Sequence, residues 1–201
     1  ALAQVDLAGS FVGMITDPDS LVDHLRSLMP IADPLERKII TDRWADKDLD
    51  LMRRFFHGFW SNRSADPGAA WRAYHEQVVK VNQAFGCRLL RGYETDRGRV
   101  FLKYGAPNSM MDRLHEMDAL SYTIWHYYRA GRYSDRRFVF YQPDLASNCM
   151  ELLHSEVPGE ISNPRWNQII HGRNNPYHDV DVAPVQQASG ERAREFFDLP
   201  R

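Results

Sequence analysis

The stretch Gly92-Tyr93-Glu94-Thr95-Asp96-Arg97-Gly98-Arg99-Val100-Phe101-Leu102-Lys103-Tyr104-Gly105-Ala106-Pro107 decides how the rest of the chain is read. Gly92 and Gly98 give backbone freedom on either side of a Thr-Asp pair able to bond nearby amides, the marks of a polar turn. Val100, Leu102 and Tyr104 then alternate with Phe101 and Lys103, the period-two pattern of a strand over 99–104 with one buried face. Gly105-Ala106-Pro107 ends it, because proline removes a ladder donor and restrains the residue before it. The expectation is a turn-and-strand nucleus rather than a catalytic motif.

On its N-terminal side the apolar spacing is helical. Residues 1–18 read as irregular, after which Asp19-Ser20 caps a helix carrying Leu21, Leu25 and Leu28 that stops at Pro30. A second helix opens at Asp33-Pro34 with Leu35, Ile39, Ile40 and Trp44. A third runs from Asp48 to Asn62 over Leu49, Met52, Phe55, Phe56, Phe59 and Trp60. The loop at 64–68 restarts a fourth, with Trp71, Tyr74, Val78, Val81, Asn82 and Phe85 and its stop at Gly86.

On the C-terminal side the pattern changes. Residues 106–119 form a polar insert without periodicity. Tyr122 to Tyr128 reads as a strand, Thr123, Trp125 and Tyr127 facing away from Tyr122, Ile124, His126 and Tyr128. A turn over 131–136 leads into a partner strand at 137–142, and a further strand is expected at 149–154. Asn163-Pro164 opens a helix containing Trp166, Ile169 and Ile170, 172–187 reads as a loop, and Ser189 to Phe197 as a terminal helix. The fold class is α+β, N-terminal helices packed on a small antiparallel sheet of about four strands. Residues 1–34 are expected to be a lead-in and short helix joining a preceding segment, and 35–201 a domain: helical over 35–86, sheet over 87–158, helix and loops over 159–201.

Composition narrows the classes. The net charge of -2 gives no reason to expect nucleic acid or an anionic membrane. No apolar run approaches the roughly 20 residues of a membrane helix. The aromatic clusters at 55–60, 71–74 and 122–141 suit a core first and an interface second. Cys87 and Cys149 permit one bridge, but their spacing is neither a metal nor a redox motif, and the reading is two separate buried thiols. Ala-Leu-Ala-Gln at the start is compatible with the tail of a signal-peptide cleavage site.

Gly92-Tyr93-Glu94-Thr95-Asp96 resembles the signature of the GWxTD domain family, with Tyr93 where the name-giving Trp usually sits. The resemblance extends to Phe59-Trp60 with Arg63, to Asp96–Val100 with Tyr104-Gly105-Ala106-Pro107, and to Ile124–Tyr128 with Phe138-Val139-Phe140. It closes with His154-Ser155, Pro158-Gly159-Glu160-Ile161 and Asn163-Pro164-Arg165-Trp166, covering roughly residues 35–173; Ala106 replaces the first Pro of the family's Gly-Pro-Pro. The resemblance implies an exported protein of bacteria such as the Bacteroidetes, in the periplasm or associated with the outer membrane, and no established reaction. Any membrane association would then rest on a segment preceding residue 1. It also implies that the two cysteines meet oxidising conditions, which does not by itself pair them.

Candidate sites follow. Asp96 and Arg97 could orient a ligand, although a turn Asp accepting amides is the plainer reading. Glu160 could be a general acid raised by burial with Asp96 as its partner, the carboxylate pair of a glycosidase. His154-Ser155 point to opposite faces of one strand and cannot pair, so Ser155 is expected to cap the following turn. His126 is expected as a hydrogen-bonded core residue. His171, His178, Asp179 and Asp181 match no zinc or calcium spacing, and neither metal nor cofactor is expected. Arg91, Arg97, Arg99 and Lys103 with Tyr93 and Tyr104 are a weak polyanion candidate. The leading expectation is a non-enzymatic envelope domain binding another protein through an aromatic groove of Tyr93, Arg97, Tyr104, Trp125 and Tyr127. The alternative is a hydrolase of an envelope glycan or peptide using Asp96, Arg97 and Glu160.

Overall fold

The computed structural model describes residues 10–42, 48–116, 119–144, 146–171 and 190–198. The chain divides into two compact units, Ala1–Ala84 and Phe85–Arg201.

The first unit holds α1 (Pro18–Ser27), α2 (Pro34–Asp42), α3 (Leu49–Ser61) and α4 (Pro67–Phe85), the last residue of α4 belonging to the second unit. Carboxylates start these helices: Asp17 accepts the amides of Asp19 and Ser20, and Asp48 those of Asp50 and Leu51. The first cap is therefore Asp17, not Asp19-Ser20, because Pro18 fits the first helical position. Asp33 and Glu36 exchange side-chain-to-amide bonds of 2.8 Å, a capping box that fixes α2. Leu21, Leu25, Leu28, Met52, Phe56, Phe59 and Trp60 form the core as spaced, whereas Leu35 points to solvent and Trp44 lies outside the described residues. Arg63 clasps Glu36 through both terminal nitrogens (2.8 and 2.6 Å) and lies 3.6 Å over the Phe59 ring.

The second unit is built on a four-stranded antiparallel sheet of order β1 (Ser109–Arg113), β2 (Tyr122–Ala130), β3 (Tyr133–Tyr141) and β4 (Glu151–Ser155). The α+β class and the strand number stand, with one exchange. Residues 99–104 are not a strand: α5 spans Asp96–Tyr104, and the fourth strand comes from the polar insert at Ser109–Arg113. Val100, Phe101 and Tyr104 meet one cluster at helical spacing while Leu102 is buried on another side, so the alternation was coincidental. Gly98 lies inside the first turn of α5, and among the described residues the glycines with positive φ are Gly105, Gly131 and Gly159.

Both faces of β2 are covered. Trp125 and Tyr127 pack with Val100, Phe138 and Phe140 on the α5 side, and Phe85 packs against them. Tyr122 and Ile124 pack with Val139, Leu153, Trp166, Ile170 and Phe197 on the side of α6 (Trp166–Ile170) and α7 (Gly190–Asp198). Asn163 closes a turn by accepting the Arg165 amide at 2.9 Å, and α6 starts after it, so Asn163 is not the helix cap. The hairpin turn is the pair Gly131-Arg132 rather than 131–136. The loop expected at 172–187 and Ser189 lie outside the described residues.

The cysteines are not separate buried thiols. Cys87 and Cys149 form a disulfide with Cα atoms 5.2 Å apart, both residues half-buried, tying the segment before the signature to the turn before β4.

Candidate functional site

The signature starts a helix. Gly92–Glu94 is one turn of 3-10 helix whose Glu94 carboxylate accepts the Arg91 amide at 2.9 Å. The Thr95 hydroxyl donates to the Gly92 carbonyl at 2.7 Å and accepts the Gly98 amide at 3.1 Å, capping α5. Asp96 falls in the first turn, where a negative charge suits the helix dipole. Helical spacing sets Asp96, Arg99 and Lys103 along one face.

Glu160 reaches that face from a tight turn. Its amide donates to the Val157 carbonyl at 3.1 Å, with Pro158 second and Gly159 third at φ +88°, the arrangement of a type II turn. Gly105, at φ +87°, ends α5 just after Tyr104. The two glycines thus fix donors and acceptor opposite each other.

The Glu160 side chain is only 4 % exposed. One oxygen accepts Lys103 Nζ at 2.6 Å and the Tyr104 hydroxyl at 2.7 Å; the other accepts Arg99 Nη1 at 2.8 Å. Burial opposes its ionisation, but the bonds from Lys103, Tyr104 and Arg99 prevail and hold its pKa below the usual carboxylate value. Glu160 is therefore an ionised acceptor, not a general acid raised by burial. Burial likewise opposes the charge on Lys103, and Glu160 and Tyr104 more than restore it. Tyr104 is raised, first by burial, and its proton stays on the phenol.

Asp96 is brought to Glu160 through Arg99, whose Nε lies 3.4 Å from the Asp96 carboxylate. The other Asp96 oxygen accepts the Leu152 amide of β4 at 2.8 Å. One carboxylate thus pins the sheet and the other the 157–160 turn, both to α5. Sequence reading named Arg99 and Lys103 for a polyanion; reading 96–104 as a helix would have aligned them with Asp96.

The remaining candidates are dispersed. Tyr93, Trp125 and Tyr127 are buried to 5 % exposure or less, so they fill the core and do not line a surface groove; Tyr104 is half-buried against Tyr127 and Phe138. Arg97 Nε is buried without a hydrogen-bond partner among the described residues, and the guanidinium sits over the Phe85 ring at 5.2 Å. His126 Nε2 meets the Asp135 carboxylate at 2.6 Å, and that bond holds the Asp135 pKa down against slight burial. Ser155 accepts the Val157 amide at 3.0 Å, the turn cap expected of it. His154 Nδ1 accepts the Asn163 amide at 3.1 Å, which places the proton of the neutral ring on Nε2; burial lowers its pKa, Glu156 opposing. Neither ring nitrogen of His171 has a partner among the described residues, and His178, Asp179 and Asp181 lie outside them. Among the described residues no three His, Cys, Asp or Glu side chains are placed to hold a metal ion, and no helix is long and apolar enough to cross a membrane.

These features define an α+β protein whose signature residues clamp a helix to a sheet edge and a turn. The model of the GWxTD domain matches residues 20–170, most of the chain, and the chain belongs to that family. No curated protein and no solved structure matches it.

Proposed function

We propose that this is a non-enzymatic domain exported to the bacterial envelope, where it binds another protein. One observation carries the reading: the carboxylates best placed for chemistry already serve the fold. Glu160 receives three side-chain donors and Asp96 a strand amide and Arg99, leaving neither as a ready proton carrier. The Cys87–Cys149 bridge supports an oxidising compartment such as the periplasm. A hydrolase reading draws on the meeting of Asp96 and Glu160 at Arg99, but the low Glu160 pKa argues against a proton-donating role.

The test is affinity isolation of the full-length protein from its native membrane fraction, alongside turnover assays on envelope glycans and peptides. A stoichiometric envelope protein that copurifies, with no turnover, is the expected outcome. Turnover that disappears in a folded Glu160→Gln variant would overturn the reading.

A further inference from the structure

The sheet face that carries Tyr122, Ile124, Val139 and Leu153 is covered by two helices of unequal standing. α6 belongs to the stretch matched by the family model, which ends at residue 170, while α7 lies beyond it. Residues 171–189 separate the two along the chain. α7 also cannot stand alone. It has nine residues, short of the roughly 12–15 that an isolated helix needs in water, so the face beneath it supplies its order.

The apolar side chains of α7 are Ala193, Phe196 and Phe197, at i, i+3 and i+4, and every other position from Gly190 to Asp198 is glycine or charged. Ala193 is fully buried, and Phe197 is buried against the rings of Trp166 and His154 at 5.2 and 5.8 Å. Phe196 is half-buried with the Arg113 guanidinium 4.2 Å over its ring, and Arg137 lies 5.4 Å over Phe197. The seat is therefore specific: a close approach at one small residue, then two ring positions, each faced by a guanidinium. These are the anchors by which an amphipathic helix is held in a groove. Contacts supplied by three side chains of a short helix can be reproduced by any helix that repeats them, and a longer one depends less on the groove for its order.

We infer that the sheet face under α7 is the docking groove of the protein-binding reading above, on which this rests, and that the partner enters it as an amphipathic helix carrying a small residue followed three and four positions on by two aromatic ones. The resident helix displays that chemistry in place. As part of the same chain it competes at high effective concentration, so it keeps the groove filled until a stronger helix displaces it.

The test uses the full chain with a protease recognition sequence inserted between residues 180 and 181, and a dye-labelled synthetic peptide of residues 188–201. Once the folded protein is cut, the peptide should replace the resident helix and bind saturably by fluorescence anisotropy. In the uncut chain it should bind about a hundredfold more weakly, because the tether favours the resident helix. The full chain with Phe197→Ser, which vacates one ring position, should take up the peptide without cutting, and a peptide with both Phe196→Ser and Phe197→Ser should bind to neither protein. The peptide in excess should then release the envelope protein that copurifies with the full-length chain. A cut protein that unfolds, a resident helix that does not exchange, or a peptide that binds as well without its rings would each overturn the proposal. A full chain that forms dimers by trading α7 would give the groove to a second copy and overturn it too. Copurification is read before peptide is added, so its failure counts against the binding reading, whereas a copurified protein that excess peptide leaves in place overturns this groove alone.

Discussion

The two units are held by different means. In the first, cohesion is spread over many rings: Phe56 meets Trp71 edge-on at 6.0 Å, Trp60 meets Tyr74 at 5.5 Å, and the Tyr74 hydroxyl reaches the Ser27 carbonyl at 2.7 Å. In the second, a layered core is joined to a few specific links, one disulfide and one buried carboxylate with three donors. Distributed burial degrades gradually, because neighbours repack around one loss. Specific links fail singly, because removing one leaves a charge or an amide stranded. The second unit is therefore the one a single substitution disturbs most selectively.

That contrast can be broken by experiment, starting with the largest effect. Replacing Cys87 and Cys149 by Ser should cost the second unit about 4 kcal/mol on the chain-entropy estimate. Amide exchange resolved by unit should show opening in 85–201 and none beyond the parent rate in 1–84; equal acceleration in both would erase the distinction. Glu160→Gln should cost about 2–3 kcal/mol, by stranding Arg99 and Lys103 around a neutral amide. It should also flatten the acid limb. Because the native pKa of Glu160 is depressed, its contribution is complete above about 4.5 and is lost as the pH falls through the native value. Urea midpoints at pH 7 and pH 3.5 read this, and a variant as acid-sensitive as the parent would show the cluster to be idle. Asp96→Ala should cost about 1–2 kcal/mol, the price of leaving the Leu152 amide without its acceptor.

The smallest effect sharpens the comparison from the other side. His24 packs against His75 at 5.0 Å and Trp71 at 5.2 Å, and its pKa is lowered by burial and by His75, with Asp23 opposing. A depressed His pKa means the unfolded chain binds more protons below about 6.5, so the first unit should weaken as the pH falls from there. His24→Gln should remove that slope in melting temperature between pH 7.5 and 5. A slope that persists would place the titrating group elsewhere.

Much of this fold was legible locally. The helices of the first unit show apolar residues at helical spacing behind Asp-Pro or Asp starts, and β2 and β3 show dense β-branched and aromatic runs. Residues 96–104 misled because Val100, Leu102 and Tyr104 mimic an alternating strand, while the decisive signal, Thr95 as cap, also suits a turn. β1 escaped notice because Met110 and Met111 are adjacent and only Met111 is buried. The site was not legible, since Glu160 meets residues more than fifty positions away and no local pattern encodes that meeting. The disulfide was equally hidden, two cysteines 62 positions apart carrying no sign of proximity.

The two long-range links in the second unit also share a span. Cys87 and Cys149 are separated by 62 positions, Arg99 and Glu160 by 61, and the intervals share the stretch 99–149. Once the sulfurs are joined, a shortcut of about two dozen residues connects Arg99 to Glu160, easing ring closure by about 1 kcal/mol. A reduced chain must seat Glu160 across the entire meander, while an oxidised one finds it already nearby. The order in which thiols oxidise and the carboxylate docks thus governs how readily this half of the molecule closes.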